Sequence, residues 1–322
     1  MAVLTPEFDI IAHYFTRPTP GAILGVGDDC ALLSVVTGKE LAVSTDTMVS
    51  GVHFLRNTDP GNLGHKALAV NLSDLAAMGA APRWFTLALT LPEVDHSWLE
   101  PFSAGLLALA DETGIELVGG DTTCGPLSMT LTVMGEVPAG KALRREGARA
   151  GDDVWVSGTL GDAALGLRCL QARVSLPAAQ RANSISRLER PTARLALGMR
   201  LLDLTNSAID LSDGLLADLG HICERSHLGA RLELNAIPAS SVMAAQPEAI
   251  RIECQLAGGD DYELCFTSPV NVRSKIATLS RDLGLALTRV GIMTEGESVL
   301  VMDADGQPVA AETSGYDHFA AT

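Results

Sequence analysis

"NLSDLAAMGA", residues 71–80, places one carboxylate, Asp74, in a run that is otherwise small and apolar. How this run folds decides where that carboxylate lies. Upstream, Asp59-Pro60 carries the chemistry of a helix start, since Asp can cap and Pro is tolerated at the first helical position. Downstream, Gly79 is a natural stop, with Pro82 shortly beyond it. A helix over about 60–78 puts Leu63, Ala67, Val70, Asp74 and Ala77 on one stripe by i, i+4, i+7 spacing. Asp74 then lies inside the apolar face, in the last turn but one. The helix dipole disfavours an anion near that end by a few tenths of a kcal/mol, and burial disfavours it by more. Two groups could answer the charge: Arg83, or a metal cation.

Asp-bearing segments of similar character recur along the chain. "GVGDDCALL" (25–33) holds Asp28 and Asp29, and "LAVSTDTMVSGVHF" (41–54) ends a strand-like run with Ser44, Thr45 and Asp46. "ELVGGDTTCGPLSMT" (116–130) carries Gly119, Gly120 and Asp121, "SAIDLSDGL" (207–215) carries Asp210, Ser212 and Asp213, and "LAGGDDYELCF" (256–266) carries Asp260 and Asp261. Gly-Asp and Asp-Gly pairs are ordinary turn chemistry, so any one of these has a structural reading. Taken together, carboxylates with Ser and Thr hydroxyls and no His or Cys ligand cluster suit Mg²⁺ better than zinc. Glycines beside them let a polyphosphate approach the backbone. "GEVPAGKA" (135–142) matches G-x-x-x-x-G-K but has Ala142 where a P-loop needs Ser or Thr for Mg²⁺. "SGTLGDAALG" (157–166) reads either as an anion seat at a helix N-terminus or as a plain strand–turn–helix link. Arg144 and Arg145 read either as a phosphate clamp or as solvated charges.

The chain has 322 residues, 47% hydrophobic, 19% charged and only 4% aromatic, which excludes a disordered polymer and makes the core aliphatic. A net charge of -16 opposes unaided binding to a nucleic-acid backbone; acidic proteins that handle phosphate commonly do so through metal ions. "MAVLTPEFDIIAHYF" (1–15) has neither a basic n-region nor an apolar h-region, and no run nears the roughly 18 apolar residues of a membrane helix. A cytoplasmic location is therefore expected, with no membrane partner. The six cysteines form no C-x-x-C pair and are expected as reduced core residues.

Strand-like runs are expected at 41–45, 84–91, 115–118, 129–137, 153–157, 231–234, 263–267 and 287–292, and helices near 60–78, 97–113 and 161–171, with a polar helix-like region to about 205. The polar, charged stretch 138–152 reads as a boundary between two α+β halves. "NLSDLAAMG" (71–79) faintly echoes "DLSDGLLADLG" (210–220), a weak hint of duplication.

"GDDCALL", "STDTMVSGVHF", "ALAVNLSDLAAMGA", "GGDTT" followed by "GPLSMTLTVMGEV", "AIDLSDGL", "GGDDYELCF" and the terminal "GYDHF" together resemble the thiamine-monophosphate kinase family. The match runs in order from about Ile23 to Phe319. That family belongs to the aminoimidazole-ribonucleotide synthetase-like superfamily. The resemblance implies an α/β (α+β) two-domain fold: residues 1–140 as a metal- and ATP-binding domain whose sheet forms a homodimer, and 141–322 as an α+β domain completing the site. It implies ATP-dependent phosphorylation of thiamine monophosphate to thiamine diphosphate, by direct transfer with several Mg²⁺ ions. Carried over motif by motif, Asp29, Ser44, Thr45, Asp46, Asp74, Asp121, Asp210 and Asp213 resemble metal ligands. Gly120, Asp121, Arg145 and Ser212 resemble nucleotide contacts, and His53, Asp260 and Tyr316 fall where the family contacts the thiamine phosphate. Asp46, Asp74, Arg145 and Asp213 are the expected catalytic groups. One departure is Asp260, where the family pattern usually has Glu; the reach is one methylene shorter.

Other enzymes of the superfamily are the alternative. Selenophosphate synthetase typically needs a reactive Cys in a Gly-rich N-terminal segment, absent here, and the hydrogenase-maturation dehydratase ends in a Cys-bearing tail, whereas this chain ends "YDHFAAT". Outside catalysis, the remaining alternative is a Mg-nucleotide-binding protein without turnover.

Overall fold

The computed structural model describes residues 6–309. The chain divides into two compact units: one runs to Leu75 and takes in Ala80–Gly140, the other comprises Ala76–Gly79 and the chain from Lys141 onward.

The first unit contains α1 (Pro6–Ile10), β1 (Lys39–Val49), α2 (Pro60–Ala77), β2 (Ala81–Leu91), α3 (His96–Thr113), β3 (Glu116–Cys124) and β4 (Ser128–Pro138). Its sheet has the order β1-β4-β2-β3. Only β2 and β3 are parallel, with α3 as the crossover between them. Along β4, Met129, Leu131 and Val133 are buried in alternation, the period of a strand with one covered face.

Helix α2 starts as its sequence dictates: Asp59 Oδ1 accepts the N–H of Asn62 at 2.9 Å. It stops at Gly79, where Ala80 N–H reaches back to the Leu75 carbonyl at 2.9 Å. The single-stripe expectation is too narrow, because Lys66–Ser73 and Leu75 are all buried. Strand β1 meets the helix through Ser44 and Asp46, and α3 lies so near on another side that a Cβ at Gly64 would fall 2.9 Å from Leu106 N. A helix enclosed by partners needs no polar face.

The second unit contains β5 (Asp153–Ser157), α4 (Asp162–Leu170), α5 (Ala178–Glu189), α6 (Leu195–Leu201), β6 (Ser207–Asp210), α7 (Leu215–Ser226), β7 (Gly229–Glu233), α8 (Ser241–Ala244), α9 (Glu248–Ala257), β8 (Leu264–Ser268), α10 (Arg273–Leu283), β9 (Leu287–Thr294) and β10 (Val299–Met302). Its six-stranded sheet has the order β10-β7-β9-β5-β8-β6. Side chains alternate between two cores. Val154, Val156, Ile209 and Cys265 face α7 through Leu215, Leu219 and Ile222. Trp155, Ala208 and Phe266 face α6 and α10 through Leu197, Leu201, Ile276 and Leu279. Because both faces are covered, β5, β6 and β8 are buried at every residue.

Two Asp segments expected at strand ends lie inside strands instead: β1 continues three residues past Asp46, and β3 three past Asp121. The echo between 71–79 and 210–220 has no common structure. Asp74 is late in a helix, whereas Asp213 precedes one, with Gly214 at φ 113° turning the chain. Four cysteines are buried and free as expected, but Cys30 and Cys124 are exposed.

Candidate active site

In the first unit, Asp74 is half-buried between buried neighbours, and its Oδ2 accepts the hydroxyl of Ser44 at 2.6 Å. Arg83 reaches Glu136 at 3.9 Å and lies over the Trp84 ring, 5.3 Å from its centroid. Asp46 is exposed, and its backbone N–H donates to Asn71 Oδ1 at 3.2 Å. Asn71 is fully buried and donates its own amide to the Ala67 carbonyl at 2.9 Å. The sequence reading missed this residue, which ties Asp46 on β1 to the helix that carries Asp74. Beside Asp46, Thr45 pairs with Thr132 at 2.9 Å and Thr47 with Thr130 at 2.8 Å, a row of exposed hydroxyls.

His53 Nδ1 accepts the Val49 N–H at 3.0 Å. In the neutral ring, Nε2 is then the donor nitrogen, suited to an anionic oxygen. Gly120 sits on β3 opposite Leu87, and a Cβ there would strike the Leu87 carbonyl oxygen; close strand packing alone requires glycine. Asp121 is exposed one residue further on, and Asp29 is exposed in the loop before β1. The row Asp46–Leu131–Leu87–Gly120 runs from one sheet edge to the other. At three strand spacings, the backbone at Asp46 and at Gly120 is about 14 Å apart, with Asp121 one residue further along β3.

The second unit gathers its acidic residues more closely. Asp210 ends β6 and is 5% exposed. The next two residues lie beside the 258–263 loop: Tyr262 N–H donates to the Leu211 carbonyl at 2.8 Å and Asp260 N–H to the Ser212 carbonyl at 2.9 Å. Gly259 permits this approach, because a Cβ there would meet the Ser212 carbonyl oxygen. Asp210, Ser212, Asp213 and Asp260 thus belong to two adjoining segments. Asp218, unanticipated from sequence, sits beneath them on α7, and its Oδ2 accepts the N–H groups of Asp213 and Gly214, both at 3.0 Å. Burial, then the neighbouring Asp210 charge, push the Asp218 carboxyl up to about 8.

Folded Asp218 therefore keeps its proton where the unfolded residue, ionising near pH 4, has lost it. Its contribution to stability is full below about pH 4 and drains away as the pH rises toward 8. In chelator, Asp218→Asn is expected to melt above the parent at pH 8, with the gap closing toward pH 4. A gap independent of pH in a melting series would contradict this. A cation held at Asp210 and Asp213 would offset their charge on Asp218 and so narrow the gap at pH 8.

Other expectations resolve individually. The group at the start of α4 is the protein's own carboxyl: Asp261 Oδ2 accepts the Gly161 N–H at 2.7 Å, and burial pushes that carboxyl well above the ordinary aspartate range. Residues 135–142 are the end of β4 and a turn with no helix after it, so they form no P-loop. Arg144 pairs with Glu146 at 2.9 Å, and Arg145 is exposed in the loop before β5. Tyr316 lies outside the described residues. Among the described residues, no group of three or more His, Cys, Asp or Glu side chains is gathered as a ready-made metal centre, and no helix is long and apolar enough to cross a membrane. Oxygen donors in ones and twos are how Mg²⁺ is usually held, with waters and substrate phosphates completing its shell.

Residues 27–137, within the first unit of this α/β chain, match the family model described as AIR synthase related protein, N-terminal domain. The chain is 51% identical to thiamine-monophosphate kinase of Escherichia coli K12, over 98% of both. A crystal structure of thiamine-monophosphate kinase from Stenotrophomonas maltophilia K279a superposes with a TM-score of 0.85 at 47% identity, covering 94% of this chain and 96% of that one. A structure of AaThiL complexed with AMPPCP and TMP superposes with a TM-score of 0.78 at 33% identity over 89% of each chain. The chain belongs to the thiamine-monophosphate kinase family.

Proposed function

We infer that the chain phosphorylates thiamine monophosphate with ATP, giving thiamine diphosphate and ADP. The observation that carries this is 51% identity to a thiamine-monophosphate kinase across 98% of both chains. The Asp, Ser and Thr oxygens on both units fit the charge-handling task. Substrate phosphate is mostly ionised at neutral pH, its second pKa being about 6, so an oxygen can attack the γ-phosphorus in line without a strong general base. The tasks left to the protein are alignment and charge compensation.

In this reading residues 1–140 bind metal and ATP and form the homodimer, with Asp29, Ser44, Thr45, Asp46, Asp74 and Asp121 as Mg²⁺ ligands. Residues 141–322 supply Asp210 and Asp213 as further ligands. Gly120, Asp121, Ser212 and Arg145 contact the nucleotide, with Arg145 beside the transferring phosphoryl group. His53, Asp260 and Tyr316 receive the thiamine phosphate, the imidazole offering Nε2–H. Bound Mg²⁺ would supply charge neutralisation and a template for the β- and γ-phosphates. Ser44 keeps Asp74 in one rotamer, and Asn71 fixes the backbone at Asp46.

A coupled assay of ADP release is expected to give turnover with thiamine monophosphate and Mg-ATP, and none with thiamine. ATP bound but not consumed when thiamine monophosphate is added would overturn the assignment.

A further inference from the structure

The loop that carries Asp260 is held in an unusual backbone. Asp260 has φ 68° and Tyr262 φ 49°, the left-handed region that non-glycine residues occupy only when their surroundings enforce it. Two buried acids, Asp261 and Glu263, alternate with them. Asp261 turns inward to the Gly161 N–H. Glu263 is 0% exposed, and its carboxylate is saturated: Arg187 Nη2 donates at 2.9 Å, Arg194 Nε at 2.6 Å, Arg194 Nη2 also, and Ser157 Oγ at 2.5 Å. Burial alone would raise this carboxyl, yet Arg194 and Arg187 hold it below the ordinary glutamate value. Ser157 Oγ in turn accepts the Leu264 N–H at 2.9 Å.

We propose that Glu263, clamped by Arg187 and Arg194, is a positioning residue that holds Asp260 in its left-handed conformation, in register with Ser212, and so sets the affinity for the acceptor phosphate. With residues 261 and 263 fixed inward, residues 260 and 262 turn to the opposite side. The backbone bonds from Asp260 to Ser212 and from Tyr262 to Leu211 then set the distance between the acceptor contact and the nucleotide-contacting turn. This rests on the reading of Asp260 as a substrate contact, but the conformational part can be measured without substrate.

In the full-length chain, Asp260→Gly is expected to melt about 2–4 °C above Asp260→Ala, since glycine takes a positive φ without steric cost. In a Glu263→Gln background the order is expected to vanish or reverse, because a relaxed loop no longer imposes that φ. Arg194→Lys, which keeps the charge and loses the fork, is the milder second background with the same expectation. In steady state, Glu263→Gln should raise KM for thiamine monophosphate about tenfold, leave KM for ATP nearly unchanged, and add nothing once Asp260 is Ala. An unchanged Gly-over-Ala order in both backgrounds would overturn the proposal, as would equal, additive rises in both KM values. Failure of the parent chain to use thiamine monophosphate would overturn the proposed function instead, with the melts still deciding this inference.

Discussion

Asp74→Asn is expected to lower kcat by about a thousandfold, equivalent to about 4 kcal/mol of lost transition-state stabilisation, while the melting temperature stays within about 2 °C of the parent. The two halves of this expectation have different causes. Asn has the shape of Asp, and its side-chain carbonyl can still accept the Ser44 hydroxyl that Asp74 accepts at 2.6 Å. Losing an anion near a helix C-terminus is neutral or favourable to the fold. In the proposed role of Asp74, what disappears is the negative charge that would hold a cation against two repelling phosphates. Asp46→Asn is expected to lower kcat in the same way, since it too removes one negative charge while the backbone bond to Asn71 is kept. Rates from ADP release and melts from circular dichroism separate the two halves. Near-normal turnover in either variant would sink the carboxylate-metal account. A large fall in melting temperature with little loss of rate would return Asp74 to a structural role.

How much of this was legible in the sequence depended on the range of the interactions. Helix α2 was legible because its ends are local chemistry: Asp59 caps three residues on, and Gly79 stops the helix. Its surroundings were not, because burial of Lys66 and Asn71 depends on α3 and β1, which the 3.6-residue period does not encode. The strand at 207–210 and the helices at 215–226, 248–257 and 273–283 were also missed. The strand is too short, and too completely buried, to alternate. The motif resemblance supplied the acidic residues, yet not the groups that position them. Asn71 meets Asp46 across 25 residues, and Glu263 meets Arg187 and Arg194 across 76 and 69. Asp218 lies five residues from Asp213, close enough that "SDGLLAD" could have flagged it as an acid reaching back over the first turn of a helix.

Phe266→Ala is expected to have the largest effect on stability, about 3–5 kcal/mol, or roughly 10 °C in melting temperature for a unit of this size. With only seven Phe and three Trp in 322 residues, each buried ring accounts for a large share of the apolar area removed from water. Phe266 is 0% exposed and stacks on Trp155 with centroids 6.3 Å apart. Around it, Leu197, Leu201, Ile276 and Leu279 come from two helices. Helices anchored elsewhere cannot both collapse into the volume of a lost ring, so most of the cavity remains. Phe266→Leu, which fills more of that volume, should cost about 1–2 kcal/mol. Its neighbour Cys265 points into the opposite core against α7, the helix that follows Asp213, so the cavity opens on the face away from that turn. Turnover of Phe266→Ala at 20 °C is therefore expected within about threefold of the parent, while urea unfolding registers the full loss. Equal stability losses for the Ala and Leu variants would contradict the cavity argument, and a collapse of kcat in the still-folded Ala variant would show that the face bearing Phe266 reaches the reacting groups.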